Sequence, residues 1–375
     1  AQRRGISPGG ARGLLERAGG YLRRALNAPL SGDSIVAVER SRDESEGAAV
    51  ERAPPAHDKP VATADLVLGI DGGGSKTSAW LARQGKADPW DIIGRGVAGP
   101  SNPKAVGFTV AFANLDVAID AAFQQAGLPP QEVSAACGAL AGSDRETDRR
   151  RIEAWAQGRK LARRLQLVHD AMPLLAAGTP EGWGVALIAG TGSLAFGRNA
   201  QGDAARAGGW GYLLGDEGSG YAIVCRALQA TAHAADGRGP QTELLPRFLK
   251  KLDVAQPSEL VIQIYRPEID RPVIATWADI VFDAAAAGDS VATQIVAQGA
   301  RDLAGAVVAV CRKVGLDNSS FPLAAGGGLL IHQPSYCEAV VAALEQSGLQ
   351  AAPVSAVAEP VAGAVLLARQ TLETT

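Results

Sequence analysis

Two glycine-rich turns of the same kind constrain this chain more than any other feature. The segments "DLVLGIDGGGSKTSAWLA" (65–82) and "VALIAGTGSLAFG" (185–197) each run from an apolar stretch through glycines into a second stretch. The first resembles a Walker A phosphate loop, but Ser75 stands before Lys76, where that motif requires Gly. A Walker A loop also leads into a helix, whereas the residues from Thr77 onward are poor helix formers that alternate polar with apolar. We therefore predict a β-hairpin at each segment.

Glycines at a hairpin tip let backbone N–H groups approach an anion closely, so both turns are candidate phosphate sites. Asp71, at the end of the first strand, is predicted to hold Mg²⁺ through water. The alternative for the first turn is an ordinary hairpin tip. The predicted phosphate-binding residues are Gly72, Gly73, Gly74, Ser75, Lys76, Thr77, Gly190, Thr191, Gly192 and Ser193.

A third turn, Gly326, Gly327 and Gly328, follows the apolar run "FPLAA" and precedes the helical pattern "PSYCEAVVAALEQ". Its glycines permit close approach of a flat ligand such as adenine, or else tight packing of the helix, and the pattern alone leaves both open. Since all three turns follow apolar strands, we expect them to converge on one ligand.

A single carboxylate, Asp170 in "LQLVHDAM", stands at the end of an apolar strand and at the start of a predicted helix. A carboxylate in this position suits a base that takes a hydroxyl proton during phosphoryl transfer. Helix capping is the alternative role, and both roles are compatible. His169 beside it is interpreted as structural.

The stretch "GGWGYLLGDEGSGYAI" (208–223) combines an aromatic ring, acids and glycines. Trp210 is able to stack on the apolar face of a sugar, while Asp216 and Glu217 are able to accept its hydroxyl protons. The alternative is a tight glycine-rich loop packed by its own aromatic residues.

From Leu66 onward, apolar β-branched runs alternate with helical patterns, which predicts an α/β fold. Strands are expected at 66–70, 133–140, 165–169, 184–189 and 321–325. Helices are expected at 110–126, 218–235, 278–312, 336–346 and after Pro360.

The composition indicates an ordinary soluble enzyme. The net charge of −3 argues against a nucleic-acid partner, and no apolar run approaches the length of a membrane span. The four cysteines are scattered and form no CxxC pair, which favours a reducing cytoplasm over a disulfide framework or a zinc site.

The first part of the chain has a different character. Residues 7–26 predict a small helical hairpin, so residues 1–30 are treated as a helical appendage. Residues 31–64 are rich in charges and contain three prolines, which predicts a disordered linker. The first residue is Ala, and we expect a start cut from a longer chain.

With these motifs assembled, the chain from Leu66 to Leu372 resembles the superfamily of sugar kinases, heat-shock ATPases and actin. Within it, "GIDGGGSKT", "LIAGTGS" and "AAGGGL" resemble, in that order, the two phosphate motifs and the adenosine motif of the BadF/BadG/BcrA/BcrD group, which contains N-acetylglucosamine kinase. The resemblance implies two ribonuclease H-like lobes, the actin-like ATPase fold, flanking a cleft. The lobes are expected at 65–182, completed by a helix at 360–372, and at 183–356.

The resemblance also implies roles for individual positions. Asp170 matches the catalytic base, and Asp71 matches the acid associated with Mg²⁺. Positions along the sugar cleft are matched by Asn102 in "GPSN", Gly142 and Ser143 in "LAGSD", and Gly209, Trp210 and Asp216 in "GGWGYLLGDEG". ATP and Mg²⁺ are the implied cofactors.

Residues 6–26 resemble the C-terminal helical segment of N-acetylmuramic acid 6-phosphate etherases, which implies fusion to, or partnership with, an etherase in cell-wall sugar recycling. We therefore predict a homodimeric kinase that phosphorylates N-acetylglucosamine or N-acetylmuramate, at the 6-hydroxyl group. The alternatives are a glucosamine kinase, a sugar sensor, and an ATPase that activates a partner enzyme by conformational change. The scattered cysteines do not match the iron-sulfur context of the related dehydratase activators.

Overall fold

The computed structural model describes residues 66–83, 91–143 and 145–373. These residues form two five-stranded sheets with helices packed around them. The predicted helical hairpin at 1–30 and the predicted linker at 31–64 lie outside the described residues.

The two sheets repeat one strand order. The first contains β1 (Leu66–Gly72), β2 (Thr77–Arg83), β3 (Asp91–Ala98), β4 (Val133–Leu140) and β5 (Ala162–Val168), in the order β3-β2-β1-β4-β5. The second contains β6 (Gly184–Ala189), β7 (Ser193–Arg198), β8 (Ala204–Gly208), β9 (Phe321–Gly326) and β10 (Ala351–Ala356), in the order β10-β9-β6-β7-β8. In each sheet an antiparallel meander of three strands is followed by two parallel strands. The predicted pair of ribonuclease H-like lobes is confirmed.

The central strands are predominantly apolar because both faces of each sheet are covered. Every residue of β4 and of β9 is buried, as expected for parallel strands packed between helices. The edge strands β5 and β10 are only partly buried.

Two helices between the strands of the first lobe are α1 (Pro103–Gln125), kinked at Gly107, and α2 (Glu146–Gly158). The next helix, α3 (Met172–Gly178), packs through Leu174 and Leu175 against β6 and β9 of the second sheet. Those that follow are α4 (Gly220–Ala235), α5 (Leu244–Leu252), α6 (Glu259–Ile264), α7 (Arg271–Ala275), α8 (Ala278–Ala286), α9 (Ser290–Val314), α10 (Gly328–His332), α11 (Pro334–Gln346) and α12 (Val361–Glu373). The helix α12 follows the last strand of the second sheet, yet its Ala364 and Val365 pack against β1 and β4 of the first. A Cβ atom at Gly69 would lie 2.6 Å from the backbone nitrogen of Val365, so only glycine allows this approach.

Two predicted helical segments differ from the structure. The single helix expected at 278–312 is two helices, α8 and α9, because Gly288 adopts a left-handed φ of +89° and Asp289 caps the new helix by accepting from the Ala292 nitrogen. The turn at Gly326–Gly328 does not lead directly into "PSYCEAVVAALEQ", since the short helix α10 comes first.

The helix α1 is long and apolar enough to cross a bilayer by length and composition, with a mean hydropathy of 1.5 in its most apolar window. Its Leu115 and Ile119 lie in the core of the first lobe, and its Asp116 and Asp120 both pair with Arg159. These contacts are those of a core helix.

Candidate active site

The first glycine turn connects β1 to β2 as a hairpin, as predicted. The strands pair in antiparallel register up to Gly72 and Thr77, and the Gly73 nitrogen donates to the Lys76 carbonyl at 2.9 Å. Gly74, Ser75 and Lys76 form an exposed tip. The misplaced residue relative to Walker A, Ser75, is therefore part of a strand-to-strand turn.

The base of this turn is closely packed. A Cβ atom at Gly72 would lie 2.3 Å from the Ser101 hydroxyl oxygen, so glycine is required there. Thr77 is fully buried and its hydroxyl group lies 2.7 Å from the Gly99 carbonyl and 2.8 Å from the Ser101 oxygen. The Thr77 hydroxyl, which the sequence predicts to contact phosphate, therefore supports the turn from inside.

The first-lobe residues that are predicted to bind sugar lie directly beside this turn. The backbone nitrogens of Ser101 and Asn102 donate to the Gly73 carbonyl at 3.1 and 3.2 Å. Asn102 also caps α1, because its Oδ1 accepts from the Lys104 nitrogen at 2.9 Å, which leaves its amide N–H groups for another partner. A Cβ atom at Gly142 would lie 2.4 Å from the same Oδ1, so these two residues adjoin.

Ser143 follows Gly142 in the loop after β4. Its hydroxyl group donates to the Leu140 carbonyl at 2.6 Å and thereby closes the loop on itself. In this conformation the Ser143 hydroxyl oxygen can still accept a hydrogen bond from a ligand, whereas its proton is donated to the Leu140 carbonyl.

Two carboxylates meet at the carboxyl edge of the first sheet. Asp71 lies near the end of β1 and Asp170 lies two residues after β5, and both strands run parallel to β4. Burial and then the negative charge of Asp170 raise the pKa of Asp71 to about 7, and the ammonium group of Lys76 opposes the rise. A cation bound here would relieve this repulsion, so the residues fit a site for Mg²⁺.

Among residues 66–83, 91–143 and 145–373, no three His, Cys, Asp or Glu side chains are arranged to hold a metal on their own. Mg²⁺ commonly binds through one or two carboxylates, waters and the phosphates of its substrate, so a site with Asp71 as a protein anchor agrees with this finding.

His169 lies beside Asp170, and its Nδ1 accepts a hydrogen bond from the Ala171 nitrogen at 3.2 Å. Its Nδ1 lies 3.0 Å from Asp170 Oδ1, and its ring stacks on Phe196 of β7, with centroids 4.8 Å apart. The sequence predicts a structural role for His169, and its adjacency to Asp170 in the chain is the signal for this contact. The alternative capping role of Asp170 is not observed, because α3 is capped at Ala171 without a side-chain hydrogen bond.

The second and third glycine turns adjoin in the second lobe. A Cβ atom at Gly190 would lie 3.6 Å from the Gly328 nitrogen, and one at Gly327 would lie 2.4 Å from the Ala189 carbonyl oxygen. Gly327 has a φ of +87°, a conformation that glycine adopts without strain. The start of α4 joins them, since the Gly220 nitrogen donates to the Gly190 carbonyl at 2.8 Å.

The loop that precedes α4 contacts the second turn through Asp216. This residue is buried, adopts a φ of +62°, and accepts from the Ser193 nitrogen at 3.3 Å. The Ser193 hydroxyl donates to the Glu217 carbonyl at 2.8 Å, so it is turned inward and away from the predicted phosphate contact. Burial raises the pKa of Asp216, while the Ser193 N–H group and the Arg271 guanidinium act against that rise.

Trp210 lies at the open side of the same loop and is 65 % exposed. The Arg206 guanidinium lies 5.5 Å from its ring centroid, and the Gly209 nitrogen donates to the Ser193 carbonyl at 3.0 Å. The second-lobe loop that is predicted to bind sugar is therefore hydrogen-bonded to the second glycine turn.

Two charged residues near the site carry no local sequence signal. Arg271 reaches Asp216, with Nη2 3.6 Å from Oδ2, and Glu359 lies 3.8 Å from the Nζ of Lys76. Both partners are distant in the chain, so these contacts depend on the tertiary fold.

Comparison with known families identifies the chain. The BadF/BadG/BcrA/BcrD ATPase family matches residues 68–368. This match covers most of the chain and nearly all of its described residues, and the chain belongs to that family.

Two curated relatives and one solved structure are similar over most of their length. An N-acetylmuramic acid/N-acetylglucosamine kinase of Clostridium acetobutylicum is 34% identical over 264 residues, which cover 70% of this chain and 85% of the relative. An N-acetyl-D-glucosamine kinase of Dictyostelium discoideum is 29% identical over 81% of this chain and 98% of its own. A crystal structure from Chromobacterium violaceum, proposed to be an N-acetylglucosamine kinase, has a TM-score of 0.63 and 26% identity over 81% of this chain and 99% of its own.

Proposed function

We propose that this member of the BadF/BadG/BcrA/BcrD ATPase family is an ATP-dependent kinase that phosphorylates an N-acetyl amino sugar. The observation that carries the proposal is the pair Asp71 and Asp170, which share the edge of the first sheet beside a glycine hairpin. One carboxylate suits a metal-bound phosphate and the other suits the proton of an attacking hydroxyl group.

ATP would bind across the glycine turns. The partly exposed backbone of residues 73–76 and of residues 190–192 would hold the phosphates, and the turn at 326–328 would receive the adenosine. Lys76, exposed at the tip of the first turn, would neutralise phosphate charge. The buried hydroxyl groups of Thr77 and Ser193 would support the turns from inside.

Mg²⁺ would be held by Asp71, through water, together with the phosphates. When bound, the metal ion offsets the negative charge that develops on the transferring group. Lys76 and Asp71 would then orient the terminal phosphate towards the cleft, and positioning and electrostatics would supply most of the rate.

The sugar would lie between Asn102 and Gly142 on one side and the loop of Trp210 and Asp216 on the other. Asp170 would accept the hydroxyl proton while the sugar oxygen forms a bond to the terminal phosphorus. The bond between that phosphorus and the oxygen bridging it to ADP breaks, and ADP leaves with the electron pair.

The acceptor is proposed to be N-acetylglucosamine or N-acetylmuramate, phosphorylated at the 6-hydroxyl group. The names of the similar kinases from Clostridium and Dictyostelium support this class of acceptor. The exposed ring of Trp210 beside the buried acid Asp216 suits a pyranose, which offers apolar CH faces and hydroxyl groups.

We further propose a cytoplasmic homodimer that acts in cell-wall sugar recycling. A kinase that consumes ATP works where ATP is supplied, and the resemblance of residues 6–26 to an etherase segment supports a fused or partner etherase that uses the kinase product. Light scattering on the purified chain measures the assembly, and a mass of one chain would contradict the dimer.

The test is ADP release from MgATP with N-acetylglucosamine, N-acetylmuramate, glucosamine or glucose, followed by location of the product phosphate by phosphorus NMR. We expect stimulation by the N-acetylated sugars and a 6-phosphate product. Stimulation by glucosamine alone would favour a glucosamine kinase. ATP hydrolysis that no sugar stimulates would contradict the kinase and favour an ATPase that activates a partner.

A further inference from the structure

The residue Arg271 contacts the loop of the proposed sugar site from outside it. We define the sugar loop as residues 209–217, which connect β8 to the start of α4. Arg271 is the first residue of α7, and its guanidinium carbon lies 4.4 Å from the ring centroid of Tyr212 in the loop. It also lies 5.6 Å from the ring of Tyr221 on α4, and its Nη2 is 3.6 Å from Asp216 Oδ2. One side chain therefore contacts two sugar-loop residues and the helix that follows.

Besides Arg271, the sugar loop is held by hydrogen bonds of Gly209 and Glu217 to Ser193 and by the Tyr212 ring, whose centroid lies 5.7 Å from that of Tyr221. Four of its large apolar side chains point mostly to solvent, with exposed fractions between 45 % and 80 % in Trp210, Tyr212, Leu213 and Leu214. Burial of these side chains cannot orient the loop, because they are not buried. The orientation must come from polar and cation–π contacts at its base.

Asp216 makes that anchoring necessary. Its φ of +62° is unusual for a residue with a side chain, and such conformations persist only where the surroundings hold them. One carboxylate oxygen accepts from the Ser193 nitrogen of the second glycine turn, and the other faces Arg271. Arg271 thus acts, through Asp216, on both the sugar loop and a proposed phosphate turn.

The guanidinium is not fully satisfied in this conformation. Its Nε is buried without a hydrogen-bond partner among the residues that the structure describes, and the 3.6 Å approach to Asp216 is longer than a hydrogen bond. The interaction with Asp216 is therefore an ion pair without a hydrogen bond, and the Nε donor remains unpaired beside it.

We propose that Arg271 is a positioning residue that holds the sugar loop, through Asp216 and Tyr212, in the orientation that binds the acceptor sugar. This inference rests on the proposed sugar kinase activity. Arg271 acts through Asp216 and does not contact the reacting atoms, so its loss weakens sugar binding and leaves the phosphoryl transfer step intact.

The kinetic test uses Arg271→Met and Arg271→Lys. Losing a partly exposed ion pair and a cation–π contact corresponds to about a three- to thirtyfold rise in KM for the sugar, with kcat at saturating sugar and KM for ATP changed less than about twofold. Arg271→Lys keeps the charge but loses the planar stacking on Tyr212, so we expect a smaller rise. An unchanged sugar KM in Arg271→Met, or an equal fall of kcat in both variants, would overturn the proposal.

A pH profile separates positioning from a general loss of structure. The charged groups that face Asp216 are Arg271 from α7 and Glu217 from the loop itself, together with the Ser193 N–H group. Removing the cation leaves Glu217, so the pKa of Asp216 rises and the acid limb of kcat/KM for the sugar moves to higher pH in Arg271→Met. Arg271→Lys keeps the positive charge, so its acid limb should stay at the wild-type pH. An acid limb that moves equally in both variants would contradict the positioning role of Arg271.

Arg226→Met is the matched control. Arg226 pairs with Asp302 at 2.9 Å, and its side chain is 37 % exposed against 38 % for Arg271. We expect it to lower thermal stability by a similar amount while the sugar KM stays at the wild-type value. If Arg226→Met raised the sugar KM as much as Arg271→Met, lost stability would explain the change in both variants and the positioning role of Arg271 would be refuted.

Hydrogen exchange on the ligand-free chain tests the same idea without turnover. Arg271→Met should exchange faster than wild type within residues 209–217, while Arg226→Met should match wild type there. If no sugar stimulates wild-type turnover, the proposed function fails, but faster exchange still supports the anchoring role. Equal exchange in all three proteins overturns that role whatever the activity.

Discussion

The pKa of Asp71 leads to a specific prediction for the pH dependence of nucleotide binding. Burial and the charge of Asp170 raise this pKa to about 7, which means that near neutral pH a proton competes with the metal for the Asp71 carboxylate. MgATP should therefore bind more weakly as the pH falls. The sign follows because the raised pKa favours the protonated, metal-free carboxyl group at lower pH.

The size of the effect follows from the competition alone. With a pKa of about 7, the carboxylate is about nine-tenths ionised at pH 8 and about one-tenth ionised at pH 6, so the Kd for MgATP should rise about tenfold between them. Asp170→Asn removes the neighbouring negative charge and lowers the pKa of Asp71. Burial, the larger cause of the raised pKa, remains in that variant, so its Kd should change less than that of wild type over the same interval.

Isothermal titration calorimetry without sugar measures this Kd directly. The loss of phosphoryl transfer in Asp170→Asn therefore does not affect the measurement. Asp236→Asn is the control, since Asp236 is an exposed acid paired with Arg238 and should leave the profile unchanged. A wild-type Kd that is equal at both pH values, or a profile that Asp170→Asn does not move, would refute the coupling of the two carboxylates.

Two further substitutions test the turn and the sugar loop. Gly72→Ala places a Cβ atom 2.3 Å from the Ser101 hydroxyl oxygen, so we expect a loss of about 1–3 kcal/mol in unfolding free energy and weaker ATP binding, measured by thermal unfolding and titration. Gly74→Ala, where a Cβ atom meets nothing within 4 Å, should leave both unchanged, and equal effects would contradict the account of the turn. Trp210→Ala should raise the sugar KM about three- to tenfold by loss of stacking, as steady-state kinetics can measure. Tyr265→Ala, at an aromatic residue that is 83 % exposed, is its control, and an unchanged KM in Trp210→Ala would remove that residue from the sugar site.

The parts of the fold that were predictable from sequence are those with strong local patterns. The strands β1, β4, β6 and β9 are continuous apolar runs bounded by turns, and the two glycine hairpins follow from residue order at their tips. The break between α8 and α9 was missed because an alanine-rich pattern continues through it. Gly288 and Asp289 were the available signals, a left-handed residue followed by a helix cap.

The site was predictable only where its residues belong to such motifs. Asp71 lies near the end of β1 and Asp170 closely follows β5, so their proximity follows from the parallel pairing of both strands with β4. Arg271 and Glu359 were missed, because Arg271 meets Asp216 from a distant helix and Glu359 meets Lys76 from the opposite end of the chain. The inward orientation of the Thr77 hydroxyl depends in the same way on a contact with a later loop, which no local pattern specifies.

The most direct test of the central claim is single-turnover phosphoryl transfer from radiolabelled ATP to N-acetylglucosamine and N-acetylmuramate in wild type and Asp170→Asn. We predict that the substitution slows transfer by a factor of about 10²–10⁴, because the hydroxyl proton loses its acceptor, while the Kd for MgATP at pH 8 stays within about twofold. Transfer to sugar at the wild-type rate in Asp170→Asn, with MgATP bound as before, would contradict the account.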